Sequence, residues 1–124
     1  MEIQIKIGIG EAIDRATILI IKEEKIADED KLKNINLELD LLTNKLLPVP
    51  ELPEMKDLFG KLLGINSELW DVEDALRVME DHKDFGIKFI ELARSVYRLN
   101  DERAAIKKKI NKLYNSKIVE EKSY

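Results

Sequence analysis

Residues 54–115 read EMKDLFGKLLGINSELWDVEDALRVMEDHKDFGIKFIELARSVYRLNDERAAIKKKINKLYN, two long helical patterns separated by one short polar break. Met55, Leu58, Phe59, Leu62, Leu69 and Leu76 recur at three- and four-residue spacing, as do Phe85, Phe89, Leu92, Val96, Leu99, Ile110 and Tyr114. The spacing predicts a third helix over about 54–80 and a fourth, capped by Asp84, running to about Asn115. Only Asp81-His82-Lys83 lies between them, and so short a connection favours antiparallel neighbours. The pair is therefore expected as a hairpin about 40 Å long at 1.5 Å per residue.

Towards the start of the chain, Leu47-Pro48-Val49-Pro50-Glu51-Leu52-Pro53 cannot be helical throughout, because each proline lacks an N–H donor and biases its predecessor to extended geometry. It reads as a stiff connector. Before it, Asp28 can cap a second helix with Leu32, Ile35, Leu39, Leu42 and Leu46 on one stripe and Leu37 and Leu41 on another. A first helix over about 9–26 carries Ile9, Ile13, Ala16 and Ile20, with Leu19, Ile18 and Ile21 widening its apolar surface. Such a helix sits centrally in a bundle or at a subunit interface. Residues 2–7 alternate polar and apolar, which suggests a short N-terminal strand ending at Gly8 and Gly10. Its candidate partner is Lys117-Ile118-Val119, as a small ribbon within or between protomers. Gly8-Ile9-Gly10 lacks the third glycine and the βαβ context of a dinucleotide loop, so it reads as the turn that starts the helix. The fold expected is all-α: one domain over residues 1–124, an antiparallel bundle of about four helices.

Composition bounds the function. The chain has 124 residues, 44% hydrophobic and 37% charged, with a formal net charge of -4, no cysteine and one histidine. At this size one core suffices without a structural metal. Disulfide, thiolate-metal and cysteine-nucleophile chemistry are excluded, and His82 alone cannot build a multi-histidine site. No apolar run approaches the ~20 residues of a membrane span and no signal-peptide pattern opens the chain, so a cytoplasmic protein is expected. The balanced charge speaks against a nucleic-acid partner: Arg103, Lys107, Lys108, Lys109 and Lys112 wind around the fourth helix with few interleaved aromatics.

The polar residues inside the apolar stripes are more informative. At about 100° per residue, Asn66, Glu73, Arg77 and Glu80 fall within the stripe of the third helix, and Asn100, Arg103 and Lys107 within that of the fourth. Glu24 lies near the core edge of the first helix, where Glu11 or Asp14 could join it, and Trp70 stands on the shoulder of the third. Charges on a core-facing stripe need partners, because desolvation costs several kcal/mol per ion. Three readings stay open: a satisfied network that fixes helix register, an oligomer interface with intermolecular ion pairs, or a ligand pocket. Convergent Arg77, Arg103 and Lys107 suit a phosphate, carboxylate or sugar derivative, with Asn66, Asn100 and Glu73 orienting it. If two of those three cations lack a carboxylate, an anionic ligand is implied. Glu73, Asp74 and Glu80 could suggest a Mg²⁺ cluster, but Asp74 points away from Glu73 and the fourth helix offers cations, so neither metal nor cofactor is expected.

The stretches GEAIDRATILIIK (residues 10–22), NSELWDVEDALR (66–77) and FIELARSVYRLNDER (89–103), with the ending EEKSY (120–124), resemble a small bacterial family of unknown function. Its members accompany genes for glycosyltransferases and lipopolysaccharide assembly in bacteria and some phages. The resemblance implies a link to surface glycans or sugar nucleotides, and no established catalytic role travels with it. The expectation is a small helical binding or accessory protein, a homodimer by its dual apolar stripes. Its inward pocket of Asn66, Trp70, Glu73, Arg77, Asn100, Arg103, Lys107 and Glu24 would take an anionic sugar, nucleotide sugar or phosphate. Alternatives are a dimeric adaptor that docks a glycosyltransferase, and an enzyme on a sugar or phosphate substrate with Glu73 as general base.

Overall fold

The computed structural model describes residues 1–122 and contains four helices: α1 (Ile9–Lys25), α2 (Glu29–Leu46), α3 (Pro53–Asp81) and α4 (Ile87–Leu113). Ser123 and Tyr124, part of the ending quoted above, lie outside the described residues. The bundle is built around α1, which packs against all three other helices, while α2 packs on α1 alone and α3 and α4 run against each other as the expected hairpin. Ile13, Leu62, Ile106 and Ile110 form the main core, with Phe59, Met55 and Leu46 against it, and Leu69, Val72 and Leu99 form a second cluster along the hairpin. One stripe of α2 buries Ile35 and sets Leu46 against this core, whereas Leu37 and Leu41 remain 61% and 60% exposed.

The helix ends follow local chemistry. Asp28 caps α2 by accepting the Lys31 N–H at 3.0 Å, and Pro53 opens α3, where its missing donor costs nothing. The turn after α3 is longer than expected. Lys83 adopts φ 55°, its N–H donates to the Glu80 carbonyl at 3.0 Å and the Asp84 N–H to that of Met79 at 2.9 Å. This closing motif, more often built on glycine, takes up residues 82–86. Asp84 accepts from the Gly86 N–H at 3.3 Å instead of capping α4, which starts at Ile87 and leaves Phe85 in the loop. Asn115, at φ 53°, repeats the motif after α4: the Ser116 N–H donates to the Asn111 carbonyl at 2.8 Å and ends the helix at Leu113, two residues early.

No strand forms among the described residues, which corrects the expected N-terminal strand. Residues 1–8 form neither helix nor ladder, and the tail comes close to them at Gly8 without forming a ribbon. A Cβ at Gly8 would collide with the Ile118 carbonyl oxygen, and one at Gly10 with the Lys107 carbonyl. Those glycines let α1 start in contact with α4. Gly8 has no side chain with which to cap α1, and the cap comes from the neighbouring helix: Asn111 Oδ1 accepts the Gly10 N–H at 2.7 Å.

Gly10→Ala should destabilise the protein by about 1–3 kcal/mol, because the methyl forces α1 and α4 apart. Gly64→Ala, at a helical position with nothing within 4 Å of the added Cβ, should stabilise it by about 0.5–1 kcal/mol. Urea unfolding of both variants checks the pair.

Candidate functional site

Asp14 is 1% exposed, in the middle of α1. It is gripped from both arms of the hairpin. Arg103 of α4 donates from Nε to Oδ1 at 2.9 Å and from Nη2 to Oδ2 at 2.5 Å, a bidentate pair. Asn66 of α3 donates from Nδ2 to Asp14 Oδ1 at 2.9 Å and to Thr17 Oγ at 2.8 Å, and the Thr17 hydroxyl donates to the Asp14 carbonyl at 2.7 Å. One turn further along α4, the Lys107 ammonium donates to Glu11 at 2.6 Å and to Glu120 of the tail at 2.9 Å, with Asp14 Oδ2 at 4.0 Å. Glu120 is also paired with Lys122, and Glu11 with Arg15 at 3.1 Å. Among the described residues, no fully buried side-chain nitrogen or oxygen lacks a partner.

These contacts set the ionisation. The hydrogen bonds to Asp14 push the Arg103 guanidinium above its usual value, against a smaller opposing effect of burial. Burial is the largest influence on Lys107 and pulls it down, yet the bonds to Glu11 and Glu120 outweigh it and leave the ammonium above the usual lysine value. Burial likewise raises Glu11, but Lys107 and Arg15 together bring its carboxyl below the ordinary range. Lys122 first, and then Lys107, hold Glu120 down at about 2. The cluster is a charged network at neutral pH.

Each cation of the expected set thus has a carboxylate in reach: Arg103 has Asp14, Lys107 has Glu11 and Glu120, and Arg77 has Asp74 at 3.5 Å on the exposed face of α3. The test posed on the sequence gives no cation excess. The structure gathers Asn66, Trp70, Glu73, Asn100 and Arg103 around one cleft of about 200 Å³, floored by Ile18, Ile21 and Leu69, with Lys22 at its rim. Lys107 lies one turn along α4, outside that cleft, and shares a second hollow of about 730 Å³ with Asn100, Arg103, Glu11 and Glu120. Glu24, Arg77 and Glu80 are exposed and outside the cleft. The reason is length: α1 has 17 residues against 29 in α3, so past its end two helices bury only a narrow seam and the flanks of that seam stay wet. Glu73 is itself exposed at the cleft edge.

Asn66 carries an open valence. It is 5% exposed and both of its N–H groups are engaged, which fixes the amide orientation because a carboxylate must accept. Its Oδ1 accepts no hydrogen bond among the described residues, and the residue lines the cleft. Arg103, with five N–H donors, uses three in the bonds to Asp14 and a 3.4 Å contact to Asn100 Oδ1.

Sequence reasoning placed Asp14 only as a possible contributor to the third wall and missed Thr17, Asn111 and Glu120. A signal for the first two was present. Gly10, Asp14, Thr17 and Ile21 follow each other at four, three and four residues, and Arg103, Lys107 and Asn111 at four and four. The apolar residues crowding the rest of α1 concealed the polar stripe. Among the described residues no three His, Asp or Glu side chains converge as metal ligands, and no helix is long and apolar enough to cross a membrane.

A short α1 clamped across a long helical hairpin by a buried aspartate, with a small mixed-polarity cleft beside the clamp, defines a small all-α bundle. The chain belongs to the family of unknown function DUF6165, whose model matches residues 3–124. Neither the curated proteins nor the solved structures gave a match.

Asp14→Asn should cost about 3–5 kcal/mol, because Arg103 loses its counter-charge in a partly buried site. Glu11→Gln should cost on the order of 1 kcal/mol. Glu11 is depressed in the folded state, so its contribution is present above the unfolded value near 4.5 and vanishes as pH falls through the folded value. Unfolding midpoints of wild type and Glu11→Gln should therefore differ at pH 6 and converge in acid. Glu120, held at about 2, should release the tail only between pH 4.5 and 2, read by the chemical shifts of residues 117–122 in an NMR pH titration.

Proposed function

We propose that the protein is a small cytoplasmic binding or accessory protein of bacterial surface-glycan or sugar-nucleotide metabolism, acting as a homodimer, with the cleft between α1, α3 and α4 as its ligand site. The observation that carries the reading is Asn66: an amide held rigid in a buried network, its carbonyl oxygen unpartnered at the cleft. A rigid acceptor, the Glu73 carboxylate and the Asn100 amide suit hydroxyl groups, and Trp70 with the isoleucine floor suits the apolar face of a sugar ring. The anionic part of such a ligand would meet the remaining N–H groups of Arg103 and the Lys22 ammonium. Arg77 and Lys107, engaged elsewhere, drop out of this role. The cleft volume suits one sugar ring, with the rest of a nucleotide sugar or sugar phosphate reaching outward.

Thermal unfolding against inorganic phosphate, sugar phosphates and nucleotide sugars tests the reading. A ligand at a hundred times its Kd adds about 2.7 kcal/mol, several degrees for a domain of this size. The shift should be lost in the double variant Glu73→Gln/Asn100→Ala, whose sites are exposed and whose fold should be unharmed, and kept in Arg77→Met. No shift with any compound, or a shift indifferent to the double variant, would sink the cleft as a ligand site. If Glu73 is instead the general base of an enzyme, Glu73→Gln alone should abolish turnover while leaving affinity nearly unchanged. The exposed Leu37 and Leu41 of α2 favour a second reading, a dimeric adaptor that docks a glycosyltransferase.

A further inference from the structure

The leading segment is a sheet edge without a sheet. Residues 2–7 form neither helix nor strand, and their backbone makes no hydrogen bond among the described residues. Ile3 and Ile5 are 81% and 69% exposed. Alternation of this kind puts Ile3, Ile5 and Ile7 on one face and Glu2, Gln4 and Lys6 on the other. The isoleucines, with Glu2 and Gln4, border a largely apolar groove of about 1160 Å³ whose far wall is Leu41, Leu42 and Leu46 of α2 with Val49 of the connector, edged by Arg15, Glu38 and Lys45. Leu37, one turn from Leu41, extends the exposed apolar surface. A contiguous patch of this kind marks a docking surface, and an open strand backbone marks pairing with another strand.

The pattern selects the occupant. In an antiparallel pairing of two copies with Gln4 opposite Gln4 of the partner subunit, Glu2 faces Lys6 of the partner subunit and Ile3 faces Ile5 of the partner subunit. Every pair is then like with like or acid with base. Slipping by one residue sets charged side chains against isoleucines, and slipping by two leaves Glu2 and Lys6 without each other. The segment is thus self-complementary about a two-fold axis, as an isologous contact requires.

We propose that residues 2–7 pair with the same segment of a second copy as an antiparallel two-stranded ribbon centred on Gln4, its isoleucine face closing over the α2 groove. A bare two-stranded ribbon is marginal in water; the groove supplies the burial that holds it. This inference rests on the homodimer reading, and its test separates the two. In sedimentation equilibrium the full chain should be dimeric, and Ile5→Lys should dissociate it with helical content unchanged, since the segment precedes α1. Lys6→Glu should weaken the dimer about tenfold, because the axis duplicates the charge pair, and Glu2→Lys/Lys6→Glu should restore it. In this cysteine-free chain, Gln4→Cys should cross-link to itself on mild oxidation, whereas Glu2→Cys, opposite residue 6, should not. A monomer at all concentrations would overturn both the dimer and the ribbon. A dimer indifferent to Ile5→Lys, with Gln4→Cys uncross-linked, would overturn the ribbon alone.

Discussion

A carboxylate removed from water costs several kcal/mol unless its oxygens are fully engaged, and Asp14 is engaged by both arms of the hairpin at once. Arg103 takes both oxygens from α4 and Asn66 takes one from α3. That requirement fixes the depth, rotation and axial position of α1 to within a side chain's reach. An apolar helix packed only through Ile13, Ala16 and Leu19 could slide by a turn at modest cost, because aliphatic surfaces are interchangeable. The aspartate makes a one-turn slip prohibitive. The remaining contacts of α1 follow from this register: Gly10 reaches the carbonyl of Lys107, Asn111 caps the helix start, and Lys107 finds Glu11.

The same clamp explains why the two ends of the molecule differ. Where α1 lies in the hairpin groove, three helices enclose Asn66, Arg103 and Lys107, and those groups are buried and paired. Arg77 and Glu80 occupy equivalent wheel positions outside the cleft and are wet, and Glu73 lies exposed at the cleft edge beside the last turns of α1. Helix periodicity specifies the direction in which a residue points, whereas burial also requires something to cover it.

That distinction measures how much was legible in the sequence. The four helices, the Asp28 cap, the stiff proline connector and the hairpin follow from periodicity and local stereochemistry, which act within a few residues. The inward positions of Asn66, Arg103 and Lys107 follow from the wheel. The partners of those residues do not, because pairing Asp14 with Arg103 depends on the packing of segments 89 residues apart. The leading segment is the opposite case: its alternation is a local signal for a strand, but a strand needs a neighbour and none pairs with it among the described residues.

Charge balance then narrows what the molecule can do with its polar interior. A pocket built for an anion leaves buried cations without partners, and here Arg103 and Lys107 each face carboxylates. A ligand that displaced Asp14 or Glu11 would have to replace a preorganised, bidentate or short charge-assisted bond and also leave a carboxylate stranded, an exchange that costs more than a phosphate contact returns. In the proposed ligand site, recognition would fall to groups whose network bonds are complete while a further lone pair or N–H stays open. Asn66 Oδ1 and the outer N–H groups of Arg103 meet that condition, and both border the same cleft. The buried clamp fixes the position of those two groups, so ordering them around the proposed ligand would carry little entropic penalty.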